Sequence, residues 1–131
     1  MGEPRAKVFE YSVALDRDGV ASSPGADDLT FAAGWTPDHL LLAALIECSI
    51  QSLDYHAERA GHEVAACGTA SGRVTKRDTD GRYAFVEIEC RIDVELSPPA
   101  VDFEALTAKA ERDCFVGATL AVKPRYEWRI G

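Results

Sequence analysis

The chain is poor in several things that would have fixed its class at once. It has 14 Lys and Arg against 22 Asp and Glu, a formal net charge of −8 over 131 residues. A basic patch for nucleic acid or an anionic membrane is therefore not expected, since both partners demand clustered positive charge. No apolar run approaches the ~18 residues of a membrane-spanning helix, because Leu40–Ile46 is broken by Glu47. Met1–Ala6 is polar and charged with no apolar stretch behind it, so no secretory signal is expected and the cytoplasm is the expected compartment. The four cysteines, Cys48, Cys67, Cys90 and Cys114, are 19, 23 and 24 residues apart and form no C-x-x-C pair. His39, His56 and His62 form no i,i+4 pair. Neither a structural zinc site nor any other metal or cofactor is expected from those spacings. Internal repeats and low-complexity segments are absent too.

What remains is an ordinary globular composition, 47% hydrophobic and 27% charged, sized for one domain over residues 1–131. Thr36–Gly61 dominates it. Thr36 is a good N-cap, Pro37 suits the first helical position, Asp38 favours the positive end, and Gly61 is a natural stop. The expected helix is roughly 35 Å long. Its first half, Leu40–Ile46, is apolar on every side and needs cover all round. A short chain supplies that most simply with its own sheet on one flank and a second copy of itself on the other.

Around the helix the pattern reads βββ–α–ββ–α–β. Lys7–Asp16 alternates as a strand with Phe9, Tyr11, Val13 and Leu15 on one face, and Asp16-Arg17-Asp18-Gly19 is a tight turn. Val20–Ser23 and Leu29–Phe31 are short strands. His62–Lys76 is a strand in which Gly68 and Gly72 mark bulges or weak points. Tyr83–Leu96 is the clearest strand, Val86, Ile88, Cys90, Ile92, Val94 and Leu96 alternating with charged residues; one face is dry and the other wet. A second helix follows Asp102, with Phe103, Leu106, Ala110 and Cys114 on its inner stripe. Phe115–Val122 has no clear pattern, and Arg125–Ile130 closes as a strand. The fold class is α+β, with the helices on one face of an antiparallel sheet.

Cys90 and Cys67 read as small buried hydrophobes. Cys48 stands where the apolar run ends, between Glu47 and Ser49. Cys114 lies on the inner face of the second helix. The two could meet if the helices pack, or both could be core.

The run Gly34-Trp35-Thr36-Pro37-Asp38-His39-Leu40-Leu41-Leu42-Ala43-Ala44-Leu45-Ile46-Glu47-Cys48, followed by Asp113-Cys114-Phe115-Val116-Gly117-Ala118-Thr119-Leu120, resembles the OsmC/Ohr family. That family shows a Pro–acid–Leu-Leu helix carrying a cysteine, then a later Cys-x-Val-x-x-x-Leu segment. The resemblance implies an intertwined homodimer and a thiol peroxidase that reduces organic hydroperoxides, an antioxidant role in stress response. It implies Cys48 as the peroxidatic thiolate, Cys114 as the resolving thiol, Arg17 as the activating cation, and Asp38 as the carboxylate that holds it. The implied reductant is a dithiol, a lipoyl protein or a thioredoxin-like donor.

The chemistry requires such a set. Only the thiolate attacks a peroxide, a nearby guanidinium favours it, and a second thiol traps the sulfenic acid before further oxidation. Alternatives stay open on the residues alone. Asp38 also suits a helix N-terminus, Arg17 a wet turn, and Arg112 is a second candidate cation. Glu47 would disfavour a thiolate it faced. A non-catalytic protein holding a small apolar ligand, or a redox sensor without turnover, would use the same scaffold. Asp38 and Cys48 are ten residues apart on one helix, roughly 15 Å, so a shared site would take the acid from a second copy.

Overall fold

The computed structural model describes residues 6–131; the polar opening Met1–Arg5 lies outside the described residues. Two compact units make up the chain, the first ending at Trp35 and the second running Thr36–Gly131.

The first unit is a small antiparallel sheet of β1 (Ala14–Leu15), β2 (Val20–Ser22) and β3 (Leu29–Thr30) in that order. The Asp16 carboxylate closes the β1–β2 turn by accepting the N–H groups of Asp18 and Val20, each at 2.9 Å. The strand expected over Lys7–Asp16 is far shorter than its alternation suggested. Strand structure needs a neighbour to ladder with, and β2 offers only the pairs Ala14↔Ser22 and Leu15↔Ala21. Tyr11, Val13 and Leu15 are 81%, 74% and 64% exposed, so the apolar face read from the sequence is real but uncovered.

The second unit is built on α1 (Pro37–Arg59). Thr36 caps it, its Oγ1 accepting the His39 N–H at 3.3 Å while His39 Nδ1 accepts the Thr36 N–H at 3.2 Å. Histidine takes the place that Glu or Gln holds in the usual reciprocal cap. Gly61, at φ +89°, ends the helix in the left-handed region. Strands β4 (Glu63–Lys76) and β5 (Tyr83–Ser97) form a long antiparallel hairpin. Then come α2 (Phe103–Arg112), α3 (Phe115–Thr119) and β6 (Arg125–Ile130). The α+β class stands, with one refinement: β6 lies beside β5 in parallel, so this sheet is mixed. The crossover through α2 and α3 returns the chain to the same end of the sheet, which an antiparallel pair does not require.

The core lies between α1 and the dry face of β5, where Leu45, Leu53 and Ala57 meet Ile88, Ile92 and Val94. Gly68 of β4 relieves a clash with its neighbour strand: a Cβ there would stand 2.7 Å from the Arg91 carbonyl oxygen of β5, while Ile46 Cγ2 of α1 would lie at an ordinary 3.4 Å. The register slips between Arg73 and Val74, one residue from Gly72, as the sequence suggested. Beyond the slip the phase changes, and the Phe85 ring lies over Gly72. Cys90 is buried as expected. Cys67 is not: it points to the open face of the sheet, because β4 alternates and its inward positions are Val64, Ala66, Gly68 and Ala70.

Candidate active site

Residues of α1 at intervals of four, Leu45, Ser49, Leu53 and Ala57, form the stripe that is buried completely. Cys48 sits beside that stripe, half-buried. Its neighbour Glu47 is turned outward, where the Gln51 amide meets it at 3.4 Å. The carboxylate next in sequence therefore does not face the sulfur.

Cys114 reaches the same place by another route. The inner stripe of α2 was expected to include it, but α2 stops at Arg112 with Asp113 as its C-cap. Cys114 is instead the N-cap of α3, its sulfur accepting the Gly117 N–H at 3.4 Å. It is completely buried. The next amide along, Val116 N–H, donates to Cys48 Sγ at 3.5 Å. Cys48 and Cys114 thus converge on successive amides at the start of α3, where the two side chains interact, and both are free thiols. Serine completes the group: Ser49 Oγ lies 3.6 Å from Cys114 Sγ, 3.0 Å from the Tyr126 hydroxyl oxygen and 2.7 Å from the Leu45 carbonyl.

Burial pushes the Cys48 thiol above its ordinary range, while the Val116 amide pulls it down. The nearby Cys114 adds to the upward push, and among the described residues no cation contributes. This part of the chain thus brings the two thiols together without a cation, among the described residues, to favour the Cys48 thiolate.

The other expected site residues stand elsewhere. Asp38 is exposed at the start of α1. Arg17 is exposed on the Asp16–Gly19 turn and belongs to the first unit, whereas both cysteines belong to the second. Arg112, the second candidate cation, grips Asp113 with two bonds of 3.0 Å. Asp113 also meets His56 Nε2 at 2.7 Å, tying α1 to the segment that carries Cys114. Arg112 holds the Asp113 carboxyl well below the usual range, at about 2. Two functional neighbours were missed in the sequence. The signal for Ser49 was there, a hydroxyl in an otherwise apolar stripe of spacing four. Tyr126 showed only as one face of a strand. Among the described residues no group of three or more His, Cys, Asp or Glu side chains could hold a metal ion, and no helix is long and apolar enough to cross a membrane.

A sequence profile of OsmC-like proteins matches residues 26–129. The chain belongs to the OsmC-like family. Solved structures share the family fold. An OsmC-like protein of unknown function from Vibrio cholerae is 15% identical, with a TM-score of 0.76, covering 92% of this chain and 99% of its own. An OsmC-like protein from Mycoplasma pneumoniae is 17% identical, with a TM-score of 0.73 and coverage of 96% and 99%. An organic hydroperoxide resistance protein from Elizabethkingia anophelis is 16% identical, with a TM-score of 0.63 and coverage of 97% and 99%. No curated protein matches this member of the OsmC-like family. At these identities the solved structures establish its fold alone.

Proposed function

We propose that this OsmC-like protein is a cysteine-based peroxidase that reduces organic hydroperoxides in the cytoplasm. The observation that carries the reading is the meeting of Cys48 and Cys114, one from α1 and one from the cap of α3, with the more accessible of the two in the position of attack. The Cys48 thiolate takes the distal oxygen of the hydroperoxide and releases an alcohol. Cys114 displaces hydroxide from the resulting sulfenic acid, water leaves, and a disulfide joins the two. An external dithiol, from a lipoyl or thioredoxin-like protein, then reduces it.

Ionisation of Cys48 needs a positive neighbour. We assign that role to Arg17, held by Asp38 in a homodimer. Asp38 and Cys48 lie ten residues apart on a continuous helix, so the acid serving each thiol comes from the other copy. The apolar residues left open in one copy support the dimer. Leu40–Ala43 of α1 are only half-buried, and the first unit exposes Tyr11, Val13 and Leu15. An apolar setting around Cys48 favours alkyl hydroperoxides over hydrogen peroxide.

The test is consumption of cumene or tert-butyl hydroperoxide with a dithiol donor, wild type against Cys48→Ser. Loss of turnover in the variant is expected. Unchanged turnover would end the proposal and leave a ligand-binding scaffold with two core cysteines.

A further inference from the structure

Behind Cys114 lies a small buried polar group that the peroxidase cycle as described does not use. Ser49 is completely buried, and its hydroxyl has one proton to give. The Leu45 carbonyl, 2.7 Å away, can only accept, so Ser49 spends its proton there. Toward its other two neighbours Ser49 is then an acceptor. The Tyr126 O–H donates to it at 3.0 Å, and the Cys114 S–H points to it at 3.6 Å. This arrangement suits a protonated Cys114.

It suits a Cys114 thiolate less well: the Gly117 N–H donates to the sulfur at 3.4 Å, but on the Ser49 side the charge would face an acceptor. The remedy is already present. The Tyr126 hydroxyl and Cys114 Sγ meet at the same Ser49 oxygen, 3.0 and 3.6 Å from it, and the phenol interacts electrostatically with that sulfur. Its ring is fixed by stacking on Trp128, centroids 5.6 Å apart and 12° from parallel, so the O–H can reorient while the ring stays. Gly117 leaves the room: a Cβ there would sit 3.3 Å from the Tyr126 oxygen and 3.4 Å from Cys114 Sγ. Burial raises the Tyr126 phenol above its ordinary range, so it remains a donor throughout.

We propose that Tyr126 is a positioning residue for the resolving step: its hydroxyl, held by Ser49 while Cys114 is a thiol, turns to the Cys114 sulfur and steadies the thiolate that attacks Cys48. This rests on the reading of Cys48 and Cys114 as a redox pair. In the peroxidase cycle the step is Cys48–SOH plus Cys114–S⁻ plus a proton, giving the disulfide and water. No outside oxidant or reductant enters.

The step can be timed without any peroxide. In a Cys67→Ser background, which removes the thiol on the open sheet face, the full chain is treated with dithionitrobenzoate. Cys48 reacts first and releases one thionitrobenzoate anion. Cys114 then attacks the mixed disulfide, forming the Cys48–Cys114 bond and releasing a second anion whose appearance is followed against pH. For Tyr126→Phe we expect the second release to slow about tenfold at neutral pH, the scale of one hydrogen bond to a charged sulfur, with its pH profile moved to higher pH and the first release unchanged. For Ser49→Ala we expect a second release at least as fast as wild type, because the tyrosine loses its competing acceptor. A Tyr126→Phe profile identical to wild type overturns the proposal. So does a Ser49→Ala protein as slow as Tyr126→Phe, which would mean packing alone. Absence of a second release in the Cys67→Ser parent removes the redox pair and this proposal together. Failure of the peroxidase reading looks different: hydroperoxide is not consumed, yet the second release persists with its dependence on Tyr126, which upholds the proposal.

Discussion

The backbone N–H of Val116 meets the sulfur of Cys48 at 3.5 Å. An amide is a weak substitute for a cation, and burial outweighs it, so the thiol stays above its ordinary range. Dilute, monomeric chain should therefore alkylate Cys48 with a pH profile displaced upward from the ~8.5 of a free cysteine. Association should bring the profile down if Arg17 is delivered to the site, and Arg17→Ala should abolish that downward movement. Iodoacetamide rates against pH at two protein concentrations, with and without the substitution, read this directly.

Association itself is measurable. Light scattering should give twice the chain mass of 14.2 kDa. Val13→Asp should return it to the monomer without unfolding, since that side chain is 74% exposed in a single copy.

The pairing of β4 with β5 at Gly68 depends on a missing side chain. Gly68→Ala would place a Cβ 2.7 Å from the Arg91 carbonyl oxygen, which is backbone and cannot swing aside. The expected cost is about 1–3 kcal/mol in urea unfolding, typical of overpacking. Substitution at Gly81, where nothing lies within 4 Å, would be limited to the strain of its φ of +70°.

Asp113 joins α1 to the Cys114 segment through His56 and Arg112. Its folded pKa is depressed to about 2 from 3.8, chiefly by Arg112. A depressed acid stabilises the fold above its unfolded pKa, and the contribution is lost as pH falls through the folded value. Acid unfolding of wild type should thus steepen between about pH 4 and 2, and Asp113→Asn should flatten that interval, as followed by circular dichroism.

Cys90 predicts the opposite limb. Burial raises its thiol to about 11 from 9.0. A raised thiol stabilises below its unfolded pKa, and that stability is lost as pH climbs through about 11. The stability of wild type should fall more steeply across that window than that of Cys90→Ala, measured by urea unfolding at a series of pH values.

Local signals in the chain were enough for α1, the β4–β5 hairpin, α2 and β6 of the second unit, but not for α3. Thr36, Pro37 and Gly61 bound α1, Asp102 caps α2 through the Ala105 N–H at 3.0 Å, and strict alternation marks β5. Each is a short-range preference that acts wherever the segment ends up. Periodicity failed where two elements meet: a spacing of four carried the α2 stripe past Arg112 to Cys114, though the helix had already stopped. Reading Cys67 as a small buried hydrophobe also failed, because residue type alone does not say which face of β4 is dry.

By itself, then, the amino-acid order determined the two longer helices, the long hairpin and the pair of cysteines worth watching. Only the tertiary structure decided that Cys114 caps α3, that Ser49 and Tyr126 stand behind its sulfur, and that β6 runs parallel to β5. The reason is physical. Caps, turns and alternation are set within a few residues, whereas a sulfur's neighbours come from segments tens of residues away and are chosen by how the core closes.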